Sequence, residues 1–218
     1  MKSLWQPVVH SPTLVDIPQV TITYAPSSLA SWRKAHKPWL RSGREDHKVW
    51  GAYEKLAASG RFLLPYENEA PARRFAELHA ALWLENEGFH CWGGVLLFDY
   101  ARKMTKGKGN TKANTEEVRS LAPWPWPSEI QNTLNFQPRN PDLVAYSKKR
   151  REWRFCEVKG PGDRISPDQL KALAVLHLLT GAPVAVIRLV DAPNASPVQM
   201  RSVELMYKQR RMPDWIPK

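Results

Sequence analysis

An α/β fold, one mixed sheet flanked by helices, is the class this sequence predicts, and three observations carry it. From residue 71 to residue 190 the pattern reads helix, strand, strand, strand, helix, strand. The second of those helices, 166–181, is apolar almost all round through Leu170, Leu173, Ala174, Leu176, Leu178 and Leu179, which buries most of its sides. The strand after it, 183–190, then returns parallel to the strand before it through a right-handed crossover.

Taken in order, residues 1–70 form a Pro- and Trp-rich N-terminal extension expected to pack on the core. Pro7, Pro12, Pro18 and Pro26 forbid a helix through them, and the alternating run from Val20 to Tyr24 suits an edge strand. Trp32, Trp39 and Trp50 stand among Arg33, Lys34, Lys37, Arg41 and Arg44. Such interleaving can stack bases and hold phosphates, although packing the extension onto the body is the commoner use of tryptophan. A helix-like stretch, 45–58, is closed by Gly60.

Pro71 opens the first core helix and Gly88 ends it, with Phe75, Leu78 and Leu82 as its buried stripe. Glu77 lies at the edge of that stripe; Glu85 shares a face with Leu78 and Leu82. Residues 88–100 read as a strand or hairpin arm, and a basic insertion, 101–135, interrupts the core. In it Lys103, Lys106, Lys108 and Lys112 fall on a glycine-containing loop able to close on a phosphate backbone. The Pro-Trp alternation at 123–127 is expected to be an extended spacer.

Two strands follow, joined by a polar turn that carries Lys148, Lys149, Arg150 and Arg151. Beyond the second, Gly160-Pro161-Gly162 turns the chain past Arg164. Ser166, Pro167 and Gln169 then open a helix as N-cap, N1 and N3, the pattern of a capping box. The core ends at 192, and 193–218 is read as an irregular tail with basic residues at 208, 210 and 211.

The formal charge is +11 and the hydrophobic content 43%. A globular protein with a polyanionic partner follows, because neutralising phosphates releases counterions. Cys91 and Cys156 sit in apolar runs and read as buried free thiols of a reducing compartment. With no apolar run long enough for a membrane span and no signal-peptide core at the N-terminus, a cytoplasmic protein is expected.

The chemistry concentrates between Asn140 and Gln169. Side chains two apart on a strand share a face, so Glu157 and Lys159 project together while Val158 turns away. If the two strands pair across the turn, Asp142 comes near Glu157. Two carboxylates with a lysine at one sheet edge suit a hard divalent cation, Mg2+ or Mn2+, which lowers the pKa of water and stabilises a phosphoryl transition state. A lysine beside two carboxylates is a poor base, since their charge favours its protonated form. Lys159 is therefore expected to position the attacking water and offset charge on phosphorus.

Pro141-Asp142 followed by Glu157-Val158-Lys159 resembles the PD-(D/E)XK nuclease motif. The longer phrase from Glu157 through Gly160, Asp163, Arg164 and Ser166 to Gln169 resembles the VRR-NUC (virus-type replication-repair nuclease) branch. The resemblance covers roughly residues 72–190 and implies a restriction-endonuclease-like core, αβββαβ. It implies Asp142, Glu157 and the Val158 carbonyl as metal ligands, with Lys159 and Gln169 catalytic. Glu77 stands eleven residues before Gly88-Phe89, the spacing of a metal-site glutamate in the similar archaeal Holliday-junction resolvases; Glu85 is the second choice.

The function this implies is a metal-dependent DNA endonuclease acting on duplex or branched DNA: junctions, flaps and replication or repair intermediates. Lys103, Lys106, Lys108, Lys112, Lys148, Lys149, Arg150 and Arg164 are its expected DNA contacts. A less selective DNase used in phage conflict or as a toxin would have the same site, and a non-catalytic DNA-binding scaffold is the reading of another class. The number of subunits stays open, a homodimer included.

Overall fold

The computed structural model describes residues 13–65, 67–69, 72, 74–98, 110–124, 126–127, 134, 136–191 and 199–205. Its strands are β1 (Thr13–Tyr24), β2 (His90–Gly93), β3 (Leu143–Ser147), β4 (Glu152–Lys159), β5 (Val184–Asp191) and β6 (Gln199–Leu205), arranged in one sheet in the order β2-β3-β4-β5-β1-β6. The helices are α1 (Pro26–Arg41), α2 (Glu54–Ala58), α3 (Phe75–Asn86), α4 (Asn110–Leu121) and α5 (Pro167–Thr180), with a 3-10 segment at His47–Tyr53. None is long and apolar enough to cross a membrane.

β3 and β4 form the expected antiparallel hairpin, and β2 adds antiparallel to β3. β5 runs parallel to β4, as the crossover through α5 requires. Local chemistry fixes both ends of α5. The Ser166 side chain accepts from the Gln169 amide, Gln169 Oε1 accepts from the Ser166 amide, and Pro167 sits where no N–H is needed. Gly181 ends the helix at φ +67, a conformation that only glycine adopts without strain, and its amide donates to the His177 carbonyl.

Alternation along the strands divides the core between two faces. One cluster joins Trp32, Trp39, Trp50, Phe75, Leu78 and Leu84 to Val158, Ile187 and Leu189 of the sheet. The other packs α5 and Trp126 on Phe155, Val184 and Val186. Mixed sheet and flanking helices are thus as expected.

Several elements differ from the sequence reading. Residues 26–41 are a helix: Pro26 takes its first turn, and Trp32 and Trp39, 1% and 5% exposed, tie it down despite Pro38. Tertiary burial outweighs one lost hydrogen bond, and the tryptophans serve packing rather than base stacking. β1 is twelve residues long and interior, its first half paired with β6 and its second with β5. Pro18 stands where the pairing changes sides.

In place of 45–58 as one helix there are a 3-10 segment kinked within itself at Gly51, φ +57, and the short α2. α3 starts at Phe75, later than Pro71, after Arg74 at φ +72. Part of the basic insertion is α4, whose buried Asn114 donates to the Arg61 and Gly93 carbonyls. Trp124 packs edge-on against Trp153 and Phe155, so the Pro-Trp stretch anchors rather than spaces. The C-terminal tail supplies β6.

Candidate active site

At the C-terminal end of β4 the hairpin ladder stops, and the side chains of the motif take over. The Phe155 amide bonds the Pro183 carbonyl on the β5 side, so the amides of Cys156 and Val158 turn to the β3 side. The β3 ladder ends at the Leu143–Cys156 pair. One step further, Asp142 Oδ2 takes the place of a strand partner and accepts from the Val158 amide at 2.8 Å. Amide and carbonyl of one strand residue face the same neighbour, so the Val158 carbonyl points to the edge where Asp142 stands.

Glu157, 2% exposed, is held from two sides. Lys159 Nζ donates to its Oε1 at 2.6 Å, and Gln169 Nε2 reaches the same oxygen from the first turn of α5. Burial pushes both acidic groups up. Glu157 rises to about 8, first through desolvation and then through the charge of Asp142, with Lys159 opposing. Asp142 rises through desolvation, against the Val158 amide, its hydrogen bond with Glu157, and the charges of Lys159 and Arg74. Two carboxyls buried together retain a proton because two adjacent negative charges out of water are too costly.

That behaviour fits a divalent cation, which would replace the proton and draw on both carboxylates and the Val158 carbonyl. Among the described residues, no group of three or more His, Cys, Asp and Glu side chains makes a metal cage. The donor set is that of a cation that keeps much of its water.

A cleft of about 520 Å³ opens beside this edge, lined by Asp142, Val158 and Lys159 and by Glu77 and Arg74 across from them. Glu77 is thus at the cleft, ion-paired at 2.8 Å with Arg74, whose charge also acts on Asp142. Glu85 lies elsewhere, bound to Arg61 at 2.8 Å on the groove that holds Phe89 and His90. The turn after β4 frames the cleft floor. Asp163 Oδ2 accepts from the Gly160 amide, and Gly162 has φ +81.

Of the expected DNA contacts, Arg164 is exposed just past this turn. Lys148, Lys149 and Arg150 sit at the opposite end of the hairpin, about 20 Å along the strands. Arg150 there donates to the Glu87 carbonyl and lies over Phe89. Lys112 is on α4, 3.9 Å from Glu116. Lys103, Lys106 and Lys108 lie outside the described residues.

Sequence reasoning missed Arg74 and Tyr24, both in the cleft wall, and gave Arg33, in the same wall, only as one of the basic residues interleaved with tryptophans. The i,i+3 spacing of Arg74 and Glu77 is a legible signal. Tyr24 arrives through the sheet and Arg33 through α1, and nothing local places either of them beside the acid pair.

Comparison with known proteins adds to this geometry. Residues 117–191 match the VRR-NUC domain model. The VRR-NUC segment takes in β3, β4, α5 and β5, and with them Asp142, Glu157, Lys159 and Gln169. It meets the resemblance carried by the Asp142 to Gln169 phrase and supports a DNA nuclease; α3, with Glu77, falls outside it. The crystal structure of paFAN1 bound to 2nt 5'flap DNA with gap is similar at 21% identity and a TM-score of 0.33, over 82% of this chain and 38% of that chain. No curated protein gives a match.

Proposed function

We propose that the protein is a metal-dependent DNA endonuclease that hydrolyses phosphodiester bonds, with junctions, flaps and related branched intermediates as its preferred substrates. The observation that carries this reading is the buried Asp142–Glu157 pair beside Lys159 at the end of the hairpin. Two desolvated acids of raised pKa have a function at such an edge when a cation takes up their charge. The catalytic unit we propose is 71–192, with 1–70 and 193–218 as flanking segments and 101–135 as its insertion.

Mg2+ or Mn2+, when bound, would acidify water and stabilise charge on the phosphoryl group. The chain's own residues do the rest. Asp142 and Glu157, with the Val158 carbonyl, would hold the cation; Glu77, across the cleft, would join them directly or through water. The Lys159 ammonium sets the orientation of Glu157 and places positive charge where the pentacoordinate phosphorus becomes most negative. Gln169 fixes the other approach to Glu157 while its own position is fixed by the helix cap.

The test is purified protein on plasmid, linear duplex, single strand, flap and four-way junction with Mg2+, Mn2+ or excess EDTA. Cleavage should need the metal and favour branched substrates. Asp142→Asn and Glu157→Gln should abolish cutting yet bind DNA in EDTA at least as well as wild type, since neither adds negative charge to a phosphate-facing site whose carboxyls share a retained proton without metal. Undiminished cleavage in EDTA overturns the metal reading. A wild type that binds DNA and cuts nothing with either metal overturns the enzyme and leaves the scaffold.

A further inference from the structure

One helix outside the matched segment presents a continuous basic surface that runs out of the catalytic cleft. We propose that the outer face of α1 is the docking surface for duplex DNA flanking the scissile bond. This rests on the nuclease reading and assigns its substrate a position.

Arg33, Lys34, Lys37 and Arg41 are all exposed, and at 3.6 residues per turn they fall within an arc of about 100°. Trp32, Ala35, His36 and Trp39 are the buried positions and take the opposite side of the helix. The helix contains no acidic residue, and among the described residues no ion pair neutralises any of the four cations. Arg33 and Leu29 line the cleft together with Glu77, Asp142 and Lys159, so the basic arc begins at the site and leads away from it.

Length and composition select the ligand. From Arg33 to Arg41 the helix rises about 12 Å, against about 3.4 Å of duplex axis per phosphate of one strand, which lets the face meet three or four phosphates in a row. Single strands are gripped by aromatic rings on which bases stack. Every aromatic side chain of α1 is buried, so this surface offers charge without stacking and suits a paired backbone. The burial of Trp32 and Trp39 also holds the face rigidly against the nuclease body, where a tethered arm would not hold a duplex in register.

The experiment measures binding of fluorescent duplex, single strand and flap DNA in EDTA over a range of NaCl, for wild type and for the combined Lys34→Gln, Lys37→Gln and Arg41→Gln variant. These positions are exposed, and unchanged far-UV circular dichroism checks the fold. The duplex slope of log K against log [NaCl] should flatten by about 2 to 3 units, near 0.9 for each lost phosphate contact. A second variant, Lys37→Glu, should weaken duplex binding further than Lys37→Gln. An unchanged duplex slope overturns the proposal. So does a loss confined to single strands. Active wild type with an unchanged slope removes only this inference, and inert wild type with the expected flattening removes only the nuclease.

Discussion

Gln169 has two jobs in the structure, and substitutions can pull them apart. Its Oε1 accepts from the Ser166 amide as half of the capping box, and its Nε2 donates to Glu157. Ser166→Ala removes the other half of the box and should cost about 1 kcal/mol of stability, within the 0.5–2 kcal/mol range for N-caps. In a chain of this size that lowers Tm by about 2 to 4 °C. Cleavage by the folded enzyme should stay within about twofold of wild type, because Ser166 does not touch Glu157. Gln169→Glu keeps an acceptor for the Ser166 amide, removes the amide donor and adds negative charge beside Glu157. A hydrogen bond to a charged group is worth about 1.5–3 kcal/mol. If that orientation matters only at the transition state, the loss is about ten- to 150-fold in kcat with little change in DNA affinity. Gln169→Ala should lose both functions. The assay is single-turnover cleavage at saturating enzyme, alongside thermal melting. Equal activity losses in Ser166→Ala and Gln169→Glu, each tracking Tm, would show that Gln169 acts only as a cap.

Glu77→Ala should reduce cleavage far more than Glu85→Ala, since Glu77 lines the cleft and Glu85 is occupied with Arg61 at the other groove. Glu85→Ala should instead cost about 1–3 kcal/mol of stability by stranding the half-buried Arg61 guanidinium, as urea unfolding will read; the reverse order of activities refutes the placement. The raised Glu157 gives a pH signature in metal-free protein. A carboxyl that titrates near 8 when folded and near 4.5 when unfolded holds extra proton in the native state between those values. Stability measured in EDTA should therefore be intact below the ordinary carboxylate range and fall as pH rises toward 8, the slope disappearing in Glu157→Gln. Melting curves with no such difference between wild type and variant would contradict the buried, proton-holding pair.

Much of the site is written in adjacent residues, which is why the sequence shows it. The Glu157–Lys159 spacing dictates a shared face, and Ser166, Pro167 and Gln169 dictate the cap that brings an amide to Glu157. What stays hidden is contributed from a distance. Val158 and Tyr24 are more than a hundred residues apart, and only the β4-β5-β1 order puts them on one cleft. α1 contains Pro38, which argues against a helix locally, and is held by tryptophans whose partners lie in other segments. β6 has weak alternation, and its strand conformation comes from pairing with β1.

The place of β1 in the sheet has a consequence in time. It pairs with β5 from Gln19↔Val186 to Tyr24↔Asp191, so β1 waits for a partner strand made 167 residues later. At 5–20 residues per second the interval is roughly ten to thirty seconds, during which the ribosome-bound chain carries an unpaired apolar edge. The acid pair on β4 is made before then, but until β5 joins β4 to β1 the Tyr24 and Arg33 wall of the cleft is not held beside it. The cleft is thus finished only once β5 has been translated, and the step that finishes it is among the slowest kinds in folding, the closure of a very long loop.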